Sequence, residues 1–320
     1  YIYMNKNFNI IDRKFYGLID KIKKSSYENL VYEIKKNYCT LSPNIKSILE
    51  NYFKKYPFWG SLCENENDFN EIEAKAKVLN KHLNDFIWLY KKLGDYKSKY
   101  LLFAILNNWI NYDFKSLKHT LSPMEFQYFD FNLIPNCKNQ IFVDVGAYLG
   151  ETTLNYINCY GKNSYKKIYC FEITPSIFNY MQNNLKLLSN ITCVNKALQD
   201  KEKVVYMQEN SSSSSANRTE SFGKQKISCT TLDKFIKGKV DIIKMDIEGD
   251  EEKALKGCKE HIIKYSPKLL ISIYHKNDHY FKLAKLIFSY NKNYNFYLRN
   301  YGGQIYPTEI VLYALPKEKK

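Results

Sequence analysis

No Cys-x-x-Cys pair occurs in this 320-residue chain, although it carries eight cysteines. Cys39, Cys63, Cys137, Cys159, Cys170, Cys193, Cys229 and Cys258 lie far apart, several inside apolar runs such as "KIYCFE". That spacing argues against a zinc cluster or a disulfide frame and implies reduced, buried thiols in a cytoplasmic protein. No apolar run approaches the ~18 uncharged residues of a membrane span, and no signal-peptide pattern opens the sequence. The chain opens on Tyr1 rather than Met, the start expected of a trimmed or partial polypeptide. Glycine is scarce at first: only Gly17, Gly60 and Gly94 precede residue 140, which suits helices with few tight turns. Acidic residues are also in deficit, 33 against 48 Lys and Arg, for a net charge of +15. The lysines are scattered and interleaved with Asn, Tyr and Ile, so a compositional bias explains them better than a nucleic-acid interface does. A basic surface still attracts phosphorylated small molecules and anionic membranes, which leaves peripheral membrane contact open.

What is present divides the chain in two, as its length leads one to expect. Hydrophobic content of 45% suffices for a sizeable core. In the first 130 residues Ile72, Ala76, Leu79, Leu83, Phe86, Ile87, Tyr90 and Leu93 recur every three or four positions, one face of an amphipathic helix. A second apolar helix is expected in "KSKYLLFAILNNWI", capped by Asp95 or Ser98. All three tryptophans, Trp59, Trp88 and Trp109, fall in this half. Residues 1–130 therefore read as a mainly α-helical domain, to lid a site, bind an acceptor or form a homodimer.

Residues 131–320 change rhythm. The strand-like runs "IFVDVGA" (141–147), "KIYCFE" (167–172), "ITCVNKA" (191–197), "VDIIKMD" (240–246) and "KLLISIYH" (268–275) alternate with helical segments such as 175–188, opened by Pro175. Alternation of this kind implies a parallel sheet covered on both faces. "NFYLRNY" and "TEIVLYALP" add two strands joined by a turn, hence an antiparallel end. Residues 209–221, "ENSSSSSANRTES", cannot bury anything and read as a flexible loop.

Open α/β sheets bind ligands beyond the carboxyl ends of their strands. The first strand ends in "VDVGAYLGETT", where Gly146 and Gly150 allow a tight turn and close approach. The third glycine of a dinucleotide fingerprint is missing. Asp144 stands where a pyrophosphate would be repelled and a cationic amino group welcomed. Glu172 ends the second strand about 20 residues past Gly150, placed to accept both hydroxyls of a ribose. An adenosine ligand with a positive charge and no phosphate is S-adenosylmethionine.

"FVDVGAYLGETT", "FEITPSIFNYMQNN", "TTLDKF", "VDIIKMDIEGDEEKALKG" and "TEIVLYA" resemble the FkbM family of S-adenosylmethionine-dependent O-methyltransferases over roughly residues 95 to 315. "ISIYHK" and "FYLRNY" are similar to a bacterial subgroup tied to surface-polysaccharide gene clusters. Two departures stand out: the usual FEP reads Phe171-Glu172-Ile173, and Asp250 stands where Ala is common. The first 90 residues resemble no family we can name. The resemblance implies a class I methyltransferase, Rossmann-like α/β sheet, mostly parallel with an antiparallel terminal strand, behind an α-helical N-terminal domain. It implies cofactor contacts from Asp144, Gly146, Tyr148, Gly150, Thr152, Glu172 and Asp246, and methylation of a sugar hydroxyl on a nucleotide sugar or surface glycan.

Methyl transfer needs alignment and a home for the acceptor's proton. Asp246 ends the fourth strand, Glu248 follows two residues on, and His275 ends the fifth. Two carboxylates and an imidazole make a general-base site, with Asp246 or His275 as base, or a divalent-metal site for Mg, Mn or Fe(II); the plain reading is Asp246 capping the next helix and His275 simply hydrogen-bonded. Lys276 and Arg299 are candidates to grip a substrate phosphate, with solvated surface charge as the plain reading of each. Tyr128 is placed to wall the sugar ring, and Glu248 to meet the substrate. Two other classes fit the sequence less well. A nucleic-acid methyltransferase usually carries Asn/Asp-Pro-Pro-aromatic after the fourth strand, which is absent here. A Rossmann dehydrogenase or non-catalytic scaffold fits poorly with the missing glycine and the retained acids.

Overall fold

The structure is a computed structural model and describes residues 8–208, 217–220, 225–303 and 305–317. The chain forms two compact units.

The first unit runs to Ser122 and takes in two later segments, Tyr274–Lys282 and Tyr297–Ile310. Its helices are α1 (Ile10–Lys23), α2 (Tyr27–Cys39), α3 (Pro43–Lys55), α4 (Asn70–Lys92), α5 (Tyr96–Asn111) and α6 (Phe114–Lys118). Helix α4 carries the expected stripe, with Ile72, Ala76, Leu79, Phe86 and Tyr90 buried and Leu83 and Ile87 half-buried. Of the two cap candidates for α5, Asp95 is the one used: its carboxylate accepts from the Ser98 N–H at 2.8 Å. The same carboxylate binds Arg299 at 2.7 Å. Ser98 accepts from the Leu298 N–H at 2.9 Å, so the cap of α5 and the chain around Leu298 are one hydrogen-bonded assembly.

The second unit is the α/β part, Pro123–Ile273 with Leu283–Phe296 and the end of the chain from Val311. Its strands are β1 (Gln140–Val145), β2 (Tyr165–Phe171), β3 (Ile191–Val194), β4 (Ala197–Leu198), β5 (Val204–Gln208), β6 (Arg218–Glu220), β7 (Gln225–Thr230), β8 (Ile242–Met245) and β9 (Lys268–Ser272), followed by β10 (Tyr294–Asn300) and β11 (Ile310–Pro316). Helices α7 (Glu151–Tyr160), α8 (Pro175–Leu185), α9 (Leu232–Phe235), α10 (Glu251–Lys256), α11 (Lys259–Tyr265) and α12 (His279–Tyr290) connect them. Seven strands form one sheet in the order β10-β11-β9-β8-β1-β2-β3. Strands β1, β2, β3, β8 and β9 are parallel, and β11 runs antiparallel to β9. This is the mixed α/β sheet with helices ahead of it that the sequence implied. Strand order reverses between β1 and β8, and ligand crevices open at such a switch point.

A second sheet, β4-β7-β5-β6, has no counterpart in the sequence reading. It uses Arg218–Glu220, which falls inside the stretch expected to be loop. Asn217 precedes that strand, and 209–216 and 221 lie outside the described residues. Among the described residues no helix is long and apolar enough to cross a membrane.

Candidate active site

Strand β1 delivers Asp144 and the turn after it. Asp144 is fully buried, and its register partner on β8 is Lys244. Lys244 Nζ lies 3.0 Å from the Asp144 carboxylate and donates to the Gly146 carbonyl at 2.7 Å. Thr153 donates to the other Asp144 oxygen at 2.9 Å. The expected role of Asp144 is therefore corrected: its counter-ion is Lys244, and it does not line the cleft described below. A buried charge demands such a partner. The signal was in the sequence, because a lysine inside the four-residue buried strand β8 needs one too.

Gly146 has φ +75°, and a Cβ there would overlap the Asp246 carbonyl oxygen. Glycine is what lets the β1 and β8 turns touch. The amides of this turn point inward. Gly146 and Ala147 both donate to the Phe171 carbonyl, at 3.0 and 2.9 Å, and Gly150 donates to Ala147. The Tyr148 N–H donates to Glu172 at 3.1 Å. Gly150 caps α7 with φ 87°, and Thr152 is half-exposed on the first turn of that helix. Neither lines the cleft, while Gly146 and Tyr148 do.

The cleft, with the solvent space open to it, spans about 580 Å³. Glu172 stands in it just past β2, 7% exposed. Besides Tyr148, the Thr174 N–H grips its carboxylate at 2.7 Å. Burial pushes its pKa up against the pull of those two amides and of Lys244. Asn195 holds the following turn by donating to the Glu172 and Ile173 carbonyls. Ile173, where proline is usual in the resembling family, packs against Ala197, Met207, Ile227 and Cys229 of the second sheet.

The "DIEGDEE" turn after β8 forms the opposite wall, through Asp246, Ile247, Glu248 and Asp250. Glu248 adopts φ 54° and Gly249 φ 100°, a double left-handed step. Glu251, fully buried, holds it by accepting from the amides of Ile247 (3.0 Å) and Gly249 (3.3 Å). Asp246 accepts from the Tyr128 hydroxyl at 2.7 Å, and the same hydroxyl is 2.9 Å from Ser272 Oγ on β9. Tyr128 itself has φ 67° and is 3% exposed, with Lys244 Nζ 5.4 Å from its ring centre. So Tyr128 reaches the site as a hydrogen-bond donor to Asp246, and as a buried residue it offers a sugar little wall.

The structure brings together Gly146, Tyr148, Glu172, Asp246 and Glu248 around one cleft, with Tyr128 behind Asp246. His275, Lys276 and Arg299 are counted with the other unit. There the His275 ring lies 4.2 Å from Tyr274 and 6.4 Å from Trp59, and Lys276 is exposed. Arg299 is 3% exposed and engaged with Asp95, Ser98 and the Leu298 carbonyl, which corrects its expected grip on a phosphate. Lys244, Ser272, Glu251 and Gln199 join the site without having been expected from the sequence. Of these Lys244 carried a visible signal; the others depend on strand register and on the second sheet.

A family model described as "Methyltransferase FkbM domain" matches residues 144–305, about half of the chain. A crystal structure of the methyltransferase FkbM from Methylobacillus flagellatus KT superposes with a TM-score of 0.64 at 24% identity, covering 75% of this chain and 62% of that one. The chain thus spans under two thirds of that protein's length. An rRNA methylase from Streptococcus thermophilus aligns at 12% identity and a TM-score of 0.39, covering 57% of this chain and 90% of that one. No curated protein sequence matches.

Proposed function

This chain belongs to the methyltransferase FkbM domain family, and from that premise we propose an S-adenosylmethionine-dependent O-methyltransferase acting on a sugar hydroxyl. The acceptor in this proposal is a nucleotide-activated sugar or surface glycan, in line with the resemblance of "ISIYHK" and "FYLRNY" to the surface-polysaccharide subgroup. The division of labour proposed is a helical domain over residues 1–130 and the methyltransferase domain over 131–320.

One observation carries the cofactor reading. The turn amides that would cradle a pyrophosphate are instead engaged by the Phe171 carbonyl and by Glu172. What the cleft offers at that end is an anchored carboxylate. Each of its oxygens accepts one backbone N–H and keeps lone pairs for a ribose diol. That fits a nucleoside without phosphates. When bound, S-adenosylmethionine supplies a methyl carbon on a cationic sulfur, with its own leaving group attached. Glu172 orients the nucleoside, the Gly146 turn gives it close approach, and Asp246 faces the same cleft as proton acceptor. The Tyr128 hydroxyl holds one Asp246 oxygen, which fixes the carboxylate's rotation.

Asp246 and Glu248 both line the cleft and are hard oxygen donors, so they would hold a divalent ion if the reaction uses one. The test is turnover of nucleotide sugars followed by mass spectrometry, with calorimetry for the cofactor. Asp246→Ala is expected to abolish turnover while retaining micromolar-scale nucleoside binding; retained turnover discards this mechanism. Turnover lost on chelation and restored by Mg, Mn or Fe(II) supports the ion, and unchanged turnover supports the carboxylate alone.

A further inference from the structure

Gln199 follows β4 and is 1% exposed, yet it lines the cleft. Its backbone N–H is fixed to the Thr230 carbonyl at 2.9 Å. Its side-chain amide is oriented by its neighbours. Nε2 donates to Asp250 Oδ2 at 2.7 Å and lies 3.4 Å from Thr219 Oγ1. Asp250 is held in turn, by the Thr219 hydroxyl on the same oxygen and by Lys253 on the other at 2.7 Å. An ionised carboxylate only accepts, so the amide has to show it the nitrogen. The carbonyl oxygen is then the free end. Gln199 Oε1 is buried and has no hydrogen-bond partner among the described residues. A buried acceptor left this way is unfavourable unless a ligand brings the donor.

We infer that Gln199 determines nucleobase specificity: its carbonyl accepts a hydrogen bond from the exocyclic amino group of adenine, and Asp250 is the positioning residue that aims it. The inference rests on the nucleoside reading above and adds to it the residues that read the adenine. Asp250 is one of the positions where this chain departs from the usual family sequence, and an alanine there could not orient the amide. A 6-oxo base such as hypoxanthine would set an acceptor against the Gln199 carbonyl and leave both without a donor.

Calorimetry on the full chain, with S-adenosylhomocysteine and S-inosylhomocysteine as probes, tests this without any variant. The inosyl compound is expected to bind about tenfold more weakly or worse, the size of effect a lost buried hydrogen bond produces. Gln199→Leu should weaken the adenosyl compound and bring the two within about threefold of each other. Asp250→Ala, which leaves Gln199 in place but free to turn, should narrow the gap as well, with a circular dichroism melt confirming the fold of both variants. Equal binding of the two probes by the wild-type chain overturns this assignment and leaves the nucleoside reading standing. If neither probe binds, both fall together.

Discussion

At Glu172 two demands compete. Burial favours the protonated acid, while two backbone amides favour the carboxylate, and burial wins, raising the pKa above its ordinary 4.5. Between 4.5 and that raised value the native chain holds more proton than the unfolded chain. Stability therefore falls as pH climbs through the window, and the cost persists at neutral pH. A ribose diol donating to Glu172 would favour the charged form, so nucleoside binding should expel protons in the same window. Calorimetry in two buffers of different ionisation enthalpy measures this directly. Glu172→Gln should remove the proton release and weaken binding about tenfold or more, because its amide nitrogen must face one of the two N–H donors. Glu172 was legible in the sequence, as an acid ending a strand some 20 residues past Gly150. The environment of Asp144 was not legible in the same way. Its counter-ion lies a hundred residues along the chain, and only the β1–β8 register sets the two face to face.

Among the elements, periodicity reported most of what was legible. The stripe of α4, the Asp95 cap and the five parallel strands follow from local pattern, because each element's buried face repeats at its own period. The second sheet does not, since β4 has two residues and β6 three, too short for alternation to show. Arg299 illustrates the same limit. In "FYLRNY" it reads as a charge near a strand end, whereas the fold places it against the α5 cap. Burial alone would raise the Asp95 pKa, but hydrogen bonds from Arg299 and Ser98 outweigh it and hold the carboxyl below its ordinary value. This stabilisation is fully present above pH 3.8 and lost as pH falls through the depressed value. Arg299→Met should cost about 1–3 kcal/mol at neutral pH, less than a fully buried pair because Asp95 keeps some contact with water. Chemical denaturation checks the cost. Unchanged KM for the acceptor would accompany it, whereas a raised KM with unaltered stability would restore the phosphate-gripping role.

At the scale of the molecule, the boundary near residue 130 suggested by composition differs from the units that the fold makes. A shift from helical to alternating pattern marks where a sheet begins, and it cannot show that a later segment returns to the earlier unit. Two do. Tyr280 packs edge-on to Trp109 at 5.5 Å and Phe281 edge-on to Phe86 at 5.0 Å, all four buried. Asn300 donates to Thr120 at 2.9 Å, and its carbonyl accepts from the Ser122 N–H at 2.7 Å. A chain beginning at residue 123 would retain the whole sheet and yet strip the covers from Tyr280, Phe281, Leu298 and Arg299. Each large aromatic so exposed forfeits roughly 1.5–3 kcal/mol, and Arg299 loses its acid, which together rival the whole stability of a typical domain. That truncation is therefore expected to be insoluble, or to bind a hydrophobic dye and melt without a cooperative transition. Recovery of a soluble 123–320 chain with a sharp melt would show instead that the returning segments close on themselves without the helices.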